Sequence, residues 1–563
     1  MDSLRSEIRA AITRALHQAA LASRMALGIP EGVEVPDLIV DSPREERFGD
    51  FASNIAMQMA KLARRPPRDV ASVIKDNFNY AKCPWVKRVE IAGPGFLNFY
   101  LRPEWLQAAL RQIITRGEDY GRSKIGGGRK VNVEFVSANP TGLLHMGNAR
   151  GAALGDSIAA LLDFCGFDVT REFYINDTGH QIERFAASLE ARYLQQYGDD
   201  VPVPEDGYHG EDLVATVKRF IAATGDDYLK ASPSKRREAL ARFAVSEKIT
   251  AIRASLESFG VRYDVWFSED ELHKSGAVAR VVKELEERGA TYRHEGALWF
   301  KASDYGVEKD EVLVRSTGAA TYFAADVAYH VNKLERGFKW LINVWGADHH
   351  GHVPRVKAAL KALGYDPEVL DVVIIQLVRL FRGGEIVRMS KRTGEFVTLD
   401  ELLEEVGVDA ARYFFVLRSA DSHLDFDLDL ARAQSMENPV YYVQYAHARI
   451  ASLFRQLALK GLRLPDFSEV DLSMLSTVEE ERLMRKLADF PEEVADAALD
   501  LAPHRLTGYI YELARLFHSF YNVHRVIGAG EGLESARLAL VQATGTVLRQ
   551  SLRLLGIGAP ERM

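Results

Sequence analysis

The sequence predicts an α/β fold centred on a doubly wound parallel sheet, with a small α+β domain before the sheet and an all-α domain after it. From residue 130 onward, Val131, Val133 and Phe135 alternate with polar residues, a helical pattern follows at 147–164, and a second strand pattern covers 169–175. A strand–helix–strand unit of this kind predicts parallel pairing. The chain mixes helix and strand patterns before this unit and is almost wholly helical near its end.

These patterns divide the chain into expected domains at 1–115, 116–420 and 421–563. The first opens with an amphipathic helix, because apolar residues recur at every fourth position from Leu4 to Leu16. The second contains a charged helical insertion at about 190–270. Strand patterns are expected at 88–92 and 96–100 in the first domain, and at 297–300, 340–344 and 372–378 in the second.

Composition places the chain among globular proteins: of 563 residues, 47% are hydrophobic and 27% charged. No apolar run approaches the roughly 20 residues that a membrane-spanning helix needs, so we expect no membrane association. The net charge of −8 gives no overall attraction to nucleic acid, although local basic surface remains compatible with it. Cys83 and Cys165 are far apart, which argues against a thiolate zinc site and a disulfide framework and fits a reducing cytoplasm.

A polar loop at 137–148 lies between the first predicted strand of the parallel sheet and the next helix, where open α/β sheets bind ligands. The helix start offers backbone N–H groups and a positive dipole end, which both suit phosphate. His145 and Asn148 project from one turn, and Gly147 allows a phosphate to approach the backbone. The P-loop pattern GxxxxGK[ST] does not occur, so another type of phosphate site is expected.

A basic loop, 388–394, follows a late predicted strand and the Gly383-Gly384 turn. Its cations, Arg388, Lys391 and Arg392, can neutralise charge on a reacting triphosphate. Either loop alone is compatible with an ordinary solvated loop, but the two together are more specific than each one separately.

The two loops resemble the HIGH and KMSKS signatures of class I aminoacyl-tRNA synthetases. They read His145-Met146-Gly147-Asn148 and Arg388-Met389-Ser390-Lys391-Arg392. Asn148 replaces the last histidine and donates a hydrogen bond without carrying charge, whereas Arg388 replaces the first lysine and keeps the charge. Longer runs narrow the resemblance to arginyl-tRNA synthetases; they lie at 133–142, 174–179, 321–326, 345–351, 408–413, 438–447 and 559–563.

The resemblance implies a Rossmann-like catalytic domain and a helical anticodon-binding domain. It implies that ATP activates L-arginine to arginyl-adenylate, with release of pyrophosphate, and that the tRNA for arginine then accepts the amino acid. It further implies Mg²⁺ carried with the nucleotide, no zinc, and a monomer in the cytoplasm. The resemblance implies catalytic roles for His145, Asn148, Arg388 and Lys391. ATP contacts fall on Ala138, Asn139, Pro140, Thr141, Gly142, Leu143, Leu144, His145, Met146, Gly147, Asn148, His349, His350, Met389, Ser390 and Lys391.

An arginine pocket needs carboxylates, because the guanidinium stays protonated and presents five N–H donors in one plane. We expect at least one bidentate contact. Glu134 ends a predicted buried strand, where a carboxylate is costly without a cation. Tyr322 and Asp326 are four residues apart and share a face if they lie on a helix. The resemblance places Glu134, Tyr322 and Asp326 around the guanidinium and Asn139 near the α-amino group, with Asn98 in reach.

The run Asp348-His349-His350-Gly351-His352 raises the possibility of a metal site. Adjacent residues do not converge on one ion in regular structure, and the zinc-type spacing His-x₃-His is missing. We therefore predict that the histidines line the adenylate pocket and that the chain holds no metal of its own.

RNA contacts are expected at both ends of the chain. In the helical domain Tyr441 and Tyr445 can stack on bases and Arg449 can pair with phosphate. Basic side chains at 61–68 in the first domain would contact the tRNA elbow. Core tyrosines and a solvated basic face remain the alternative interpretations.

Two alternative functions differ in class. Another nucleotidyl-transferring enzyme is possible, but the cysteinyl-type synthetases require a thiolate zinc site, and a small adenylyltransferase does not need a large helical domain. A protein that binds RNA or arginine without catalysis is supported only by the Asn148 and Arg388 replacements.

Overall fold

The N-terminal region combines helices with a small antiparallel sheet, as the sequence predicts. The computed structural model describes residues 3–43, 45–387, 397–461, 464–530 and 532–563. The helices are α1 (Leu4–Leu27), α2 (Ile55–Ala63), α3 (Pro67–Asp76) and α4 (Glu104–Arg116), and the strands are β1 (Phe51–Ser53), β2 (Val86–Ala92) and β3 (Phe96–Leu101). Strand β3 lies between β1 and β2. Ser3 caps the start of α1, and Gly28, at φ +68°, ends it.

The middle region holds the remaining strands. They are β4 (Lys130–Phe135), β5 (Asp168–Ile175), β6 (Val265–Ser268), β7 (Thr291–His294), β8 (Ala297–Phe300), β9 (Glu311–Val314), β10 (Trp340–Gly346), β11 (Leu370–Ile375), β12 (Val378–Arg382), β13 (Glu385–Ile386) and β14 (Leu424–Asp427). The helices are α5 (Met146–Phe164), α6 (His180–Gln196), α7 (Glu211–Thr224), α8 (Pro233–Ser258), α9 (Glu269–Lys274), α10 (Ala277–Glu287), α11 (Tyr322–Glu335), α12 (Val353–Ala362), α13 (Leu399–Val406), α14 (Val408–Val416) and α15 (Leu428–Arg432).

A five-stranded parallel sheet in the order β11–β10–β4–β5–β6 organises this region. The chain runs outward from β4 to β6 and, after a crossover, from β10 to β11 on the other side. The sheet is therefore doubly wound, as predicted, and its topological switch point lies between β4 and β10. Helix α5 packs closely on β4, because a Cβ added to Gly155 would meet the ring of Phe135 at 2.2 Å.

Three details differ from the sequence prediction. The strand predicted at 297–300 exists as β8, but it pairs antiparallel with β7 and β9 in a separate sheet. The apolar run 372–378 is interrupted because the N–H of Gln376 donates to the carbonyl oxygen of Ala420, and Val378 begins a strand of a third sheet. The helical insertion is formed by α6, α7 and α8, so it begins and ends about ten residues earlier than expected.

The C-terminal region consists of the long helices α16 (Pro439–Leu459), α17 (Val478–Leu499), α18 (His504–Val523) and α19 (Leu533–Leu554). The N-terminal region packs against it. Arg111 of α4 donates to the carbonyl oxygens of Phe467 at 2.9 Å and Val470 at 2.6 Å. Among the described residues, no helix is both long enough and apolar enough to pass through a membrane.

Candidate active site

A cavity of about 850 Å³ opens at the carboxyl ends of β4, β5 and β10, next to the switch point of the sheet. Five of the side chains predicted from the sequence line it together: Glu134, Asn139, Tyr322, Asp326 and His349. They come from β4 and the loop after it, from the first turns of α11, and from the segment after β10. The crossover topology therefore brings residues that are up to 215 positions apart into one site.

The backbone turns sharply where β4 enters the cavity. Val136 has φ +68° and Ser137 has φ +41°, in the left-handed region that non-glycine residues rarely adopt. The Ser137 hydroxyl donates to Oε1 of Glu134 at 3.1 Å and accepts from the N–H of Tyr174 at 3.1 Å. This strained turn places the Ser137 hydroxyl against β4 and β5. It also directs the chain that follows toward the cavity.

Glu134 is held by a buried cation that sequence reasoning missed. Lys333 of α11 is fully buried, and its Nζ donates to Oε2 of Glu134 at 2.7 Å. Burial raises the pKa of Glu134, and the charge of Lys333 opposes that rise. Glu134 is only 5% exposed, yet it lines the cavity, so its carboxylate meets the cation on one side and the site on the other.

Asp326 has its own partner. Nε2 of His352 lies 2.5 Å from its Oδ2, and both residues line the cavity. Burial raises the pKa of Asp326, but the hydrogen bond from His352, together with the charge of His352 and of other nearby histidines, outweighs burial and holds the pKa below its usual range. Asp326 is therefore an ionised carboxylate at neutral pH.

A neutral histidine links the backbone of Asp326 to the network that holds Glu134. Nδ1 of His330 lies 2.7 Å from the carbonyl oxygen of Asp326, and Nε2 lies 2.8 Å from the amide nitrogen of Asn343. A carbonyl only accepts, so Nδ1 carries the proton. Burial lowers the pKa of His330 to about 4, and the charge of Lys333 acts in the same direction. Asn343 Oδ1 in turn accepts from Lys333 at 3.1 Å, so the network continues to Glu134.

A third carboxylate in the cavity, Glu269 at the start of α9, was not predicted. It is 3% exposed, and burial raises its pKa, whereas a hydrogen bond with Tyr174 lowers it. Cationic side chains lie elsewhere in the lining: Arg184, Arg315 and Arg355. The site thus combines buried acidic groups with arginines from three other elements.

The first predicted phosphate-binding segment forms the start of α5. Nδ1 of His145 accepts from the N–H of Gly147 at 3.2 Å, and Oδ1 of Asn148 accepts from the N–H of His145 at 3.1 Å. The two side chains therefore cap the helix, an arrangement that positions them relative to its N-terminus. Neither side chain lines the cavity. The loop that leads to them does reach it, because Asn139 is part of the lining.

The second predicted segment, with Arg388, Met389, Ser390 and Lys391, lies outside the described residues. The described chain resumes at residue 397, and Thr398 and Leu399 contact the first segment. The N–H of Leu399 donates to the carbonyl oxygen of Leu144 at 2.9 Å, and Thr398 forms an isolated antiparallel bridge with His145.

Of the predicted ATP-binding loop, Ala138 and residues 140–148 lie outside the lining of the cavity, and so do His350 and Asn98. His350 is exposed and belongs to the same segment as His349. Asn98 is buried in β3 and lines a separate cavity of about 490 Å³ within the N-terminal region, together with Asp41, Phe48 and Phe96. The geometry therefore does not join Asn98 to the acidic cavity, because β3 belongs to a different sheet.

The predicted RNA-binding side chains lie on one face of α16. The rings of Tyr441 and Tyr445 stack with centroids 6.3 Å apart and planes 7° apart, and both residues are half-buried. The guanidinium of Arg449 lies 4.4 Å from the ring centroid of Tyr521 and 6.0 Å from that of Tyr445. The tyrosines are thus neither fully core nor isolated on the surface.

One sequence signal points to the residues that were missed on α11. Tyr322, Asp326, His330 and Lys333 follow one another at steps of four, four and three, which is the period of a helix face. A polar stripe within an otherwise apolar buried helix indicates a functional face, of which the resemblance implied only Tyr322 and Asp326.

The comparisons with known proteins agree with this geometry. Three family models match in succession: the arginyl tRNA synthetase N terminal domain at 6–101, the catalytic domain of tRNA synthetases class I (R) at 109–425, and the DALR anticodon binding domain at 443–563. The middle match covers more than half of the chain and contains the acidic cavity.

Relatives match over the full length. An arginine–tRNA ligase of Desulforudis audaxviator is 62% identical, with 100% of both chains covered, and one of Moorella thermoacetica is 59% identical, with 99% of both covered. The solved arginyl-tRNA synthetase of Thermus thermophilus is 28% identical, covers 98% of this chain and 100% of its own, and superposes with a TM-score of 0.75. On these matches and the fold that carries them, the chain belongs to the class I arginyl-tRNA synthetases.

Proposed function

We propose how this chain carries out the reaction of its family, the ATP-dependent ligation of arginine to its tRNA. The acidic cavity binds L-arginine, and the adjoining loop at the start of α5 binds ATP. One observation carries the proposal: two carboxylates, Glu134 and Asp326, line one cavity, and each already has one oxygen bound to a cationic or imidazole partner.

The guanidinium lies between these two carboxylates. Lys333 binds Oε2 of Glu134 and His352 binds Oδ2 of Asp326, so the substrate is left with Oδ1 of Asp326 and Oε1 of Glu134. Oε1 also accepts from the Ser137 hydroxyl, and its second lone pair accepts from the guanidinium. The N–H groups of the planar guanidinium then donate to both carboxylates, instead of forming the bidentate contact with one carboxylate that the sequence predicts. Tyr322 closes the rim, and Asn139 holds the α-amino group. Asn98 is left out of the pocket because it lines another cavity.

The nucleotide lies on the other side of the arginine carboxylate. His145, Asn148, Gly147 and the loop 138–146 hold the phosphates at the start of α5, with His349 and His350 near the adenosine. Arg388, Lys391 and the neighbouring Met389 and Ser390 close from the opposite side. The hydrogen bond between Leu399 and Leu144 supports this, because it joins the chain just beyond the basic segment to the first loop.

The chemistry then needs position and charge, with no protein nucleophile. The arginine carboxylate oxygen attacks the α-phosphorus of ATP in line, the bond to the bridging oxygen breaks, and pyrophosphate leaves with the electron pair. Mg²⁺ carried with ATP would supply charge neutralisation at the phosphates. In the second step the tRNA 3′-terminal hydroxyl attacks the carbonyl carbon of the adenylate, the bond from that carbon to the phosphate oxygen breaks, AMP leaves with the electron pair, and the hydroxyl proton is released. We propose no zinc site, since Cys83 and Cys165 are both buried and far apart in the sequence.

Transfer RNA binds at both ends of the chain, with Tyr441, Tyr445 and Arg449 at the anticodon and the first domain at the elbow. The stacked tyrosine rings support a platform for bases. We propose domain boundaries at 1–115, 116–420 and 421–563, and a monomer that acts in the cytoplasm.

The test is ATP–pyrophosphate exchange with each amino acid in turn, with and without the tRNA for arginine. Exchange with arginine alone among the amino acids, in the presence of this tRNA, supports the proposal. Exchange with another amino acid contradicts the assignment of the acidic pocket. No exchange together with retained arginine or RNA binding indicates a non-catalytic protein.

A further inference from the structure

We propose that Lys333 is a positioning residue for arginine recognition: it orients Glu134 toward the guanidinium and keeps its carboxylate charged, without contacting the substrate. The inference rests on the proposed role of Glu134. Lys333 is not among the residues that line the cavity, and its side chain has 0% exposure.

Three contacts fix the ammonium group of Lys333. It donates to Oε2 of Glu134 at 2.7 Å and to Oδ1 of Asn343 at 3.1 Å, and it lies 4.4 Å from the ring centroid of Tyr329. Asn343 belongs to β10 and Glu134 to β4, so one lysine bridges the two strands at the switch point. Ser137 holds the other oxygen of Glu134 at 3.1 Å. With both oxygens held, the carboxylate presents a fixed edge to the cavity.

The charges around Glu134 are the second reason to assign Lys333 this role. Glu134 is paired in register with Glu172 on β5, so two carboxylates stand side by side on one face of the sheet. Arg336 binds Glu172 through two hydrogen bonds of 2.6 and 2.8 Å, and Lys333 binds Glu134. The groups that face Glu134 are Lys333, Asp326, His330 and Tyr329 on α11, Glu172 and Tyr174 on β5, Asn343 on β10, and Tyr263 before β6.

Without Lys333, nearby Glu172, Asp326 and burial would all favour a proton on Glu134. A protonated carboxyl group attracts a guanidinium far less than a carboxylate does. Moreover, a buried ion pair adds little net stability compared with packed apolar side chains. The ion pair of Lys333 with Glu134 is therefore better explained by its effect on the orientation and charge of Glu134 in the cavity than by its contribution to the stability of the fold.

The experiment measures steady-state aminoacylation at saturating ATP and tRNA, for the full chain. We expect Lys333→Met to raise KM for arginine about 10- to 100-fold, the range for one hydrogen bond to a charged group, with kcat within about fourfold. The ratio of variant to wild-type KM falls as pH rises from 6.5 to 9, because Glu134 regains its charge. Lys333→Arg keeps the ratio independent of pH.

The matched control is Lys248→Met. Lys248 is also a buried lysine, 4% exposed, and pairs with Asp212 at 2.5 Å, but it belongs to α8 in the insertion. It should leave KM for arginine unchanged. If Lys333→Met also leaves KM unchanged, or if its KM ratio does not change with pH, the inference is wrong.

A double variant keeps the inference testable if Lys333→Met fails to fold. Glu134→Gln leaves the ammonium group of Lys333 without a carboxylate beside the guanidinium, and adding Lys333→Met removes that uncompensated charge. The double variant should therefore show a KM for arginine no higher than that of Glu134→Gln. A KM of the double variant clearly higher than that of Glu134→Gln contradicts the inference. If Glu134→Gln itself does not change KM, the proposed pocket is at fault and not the role of Lys333.

Discussion

The backbone N–H of Leu399 donates to the carbonyl oxygen of Leu144 across 2.9 Å. Leu144 precedes the histidine that caps α5, and Leu399 begins α13 shortly after the basic segment. Thr398, which caps α13 with its side chain, also bridges to His145. This contact attaches the chain beyond the basic segment to the loop that precedes α5, and it is the structural reason for expecting both segments at one nucleotide site.

Lys391→Ala should lower the rate of adenylate formation by about 10²- to 10³-fold, the range for removing one charge donor that stabilises a transition state. KM for arginine should change little, because the guanidinium pocket is separate. Pyrophosphate exchange in the presence of tRNA measures both. Lys283→Ala, which removes an exposed lysine of α10, is the control. An unchanged exchange rate for Lys391→Ala would refute its role.

Asp326→Asn should mainly weaken arginine binding. The amide keeps the shape of the side chain but loses the charge, so KM for arginine should rise about 10- to 100-fold with a smaller change in kcat. Asp163→Asn, at an exposed carboxylate near the far end of α5, should have no effect. Unchanged KM for Asp326→Asn would mean that the guanidinium binds elsewhere.

Gly155→Ala should destabilise the catalytic domain by about 1–3 kcal/mol, because the new methyl group overlaps the Phe135 ring. Since α5 carries His145 and β4 carries Glu134, activity should fall as well. Gly508→Ala, at an exposed position of α18 with open space around it, should instead stabilise the chain by about 0.5–1 kcal/mol. Chemical denaturation measures both changes, and equal effects would contradict the packing account.

Acid should destabilise the site through His330. Its pKa is lowered to about 4 in the folded chain, against about 6.5 unfolded, so the unfolded state binds more protons between these values. The contribution of His330 to the free energy of unfolding is therefore fully present above about pH 6.5. At pH 5, protonation of this residue in the unfolded state lowers the free energy of unfolding by about 2 kcal/mol. Melting temperatures recorded from pH 7.5 to 5 should fall less steeply for His330→Gln. An identical slope would show that His330 does not titrate in this way.

Tyr445→Ala should raise KM for tRNA by about tenfold or more, within the range for the loss of one aromatic stacking partner. KM for arginine at saturating tRNA should not change. Tyr197→Ala, at a partly exposed tyrosine that ends α6 in the insertion, is the control. Equal effects of the two variants would argue against a base-stacking role for this face of α16.

Local patterns predicted the parallel sheet well, because a buried strand followed by an amphipathic helix leaves few arrangements. They failed for Ala297–Phe300, since a short apolar strand looks the same in a parallel sheet and in a hairpin. Its partners, β7 and β9, are set by the turns around it. The run 372–378 failed for a similar reason: only the tertiary hydrogen bond from Gln376 to Ala420 shows where the strand ends.

For the site, the sequence predicted the residues that would face a substrate but missed those that hold them in place. Glu134 stood out because a carboxylate in a buried strand needs a partner, whereas Asp326 was implied by the resemblance to arginyl-tRNA synthetases and by the helix face it shares with Tyr322. Lys333 and His330 did not, because their partners come from β4 and β10 and are visible only after the chain has folded. The left-handed backbone of Val136 and Ser137 likewise has no signal in the sequence, since neither residue favours that conformation.

A crystal structure of the chain with L-arginine bound tests the central proposal most directly. The account predicts a guanidinium between Glu134 and Asp326, within hydrogen-bond distance of one oxygen of each, with Lys333 still on the opposite oxygen of Glu134. An arginine bound outside this cavity, or one whose guanidinium approaches neither carboxylate, would contradict it.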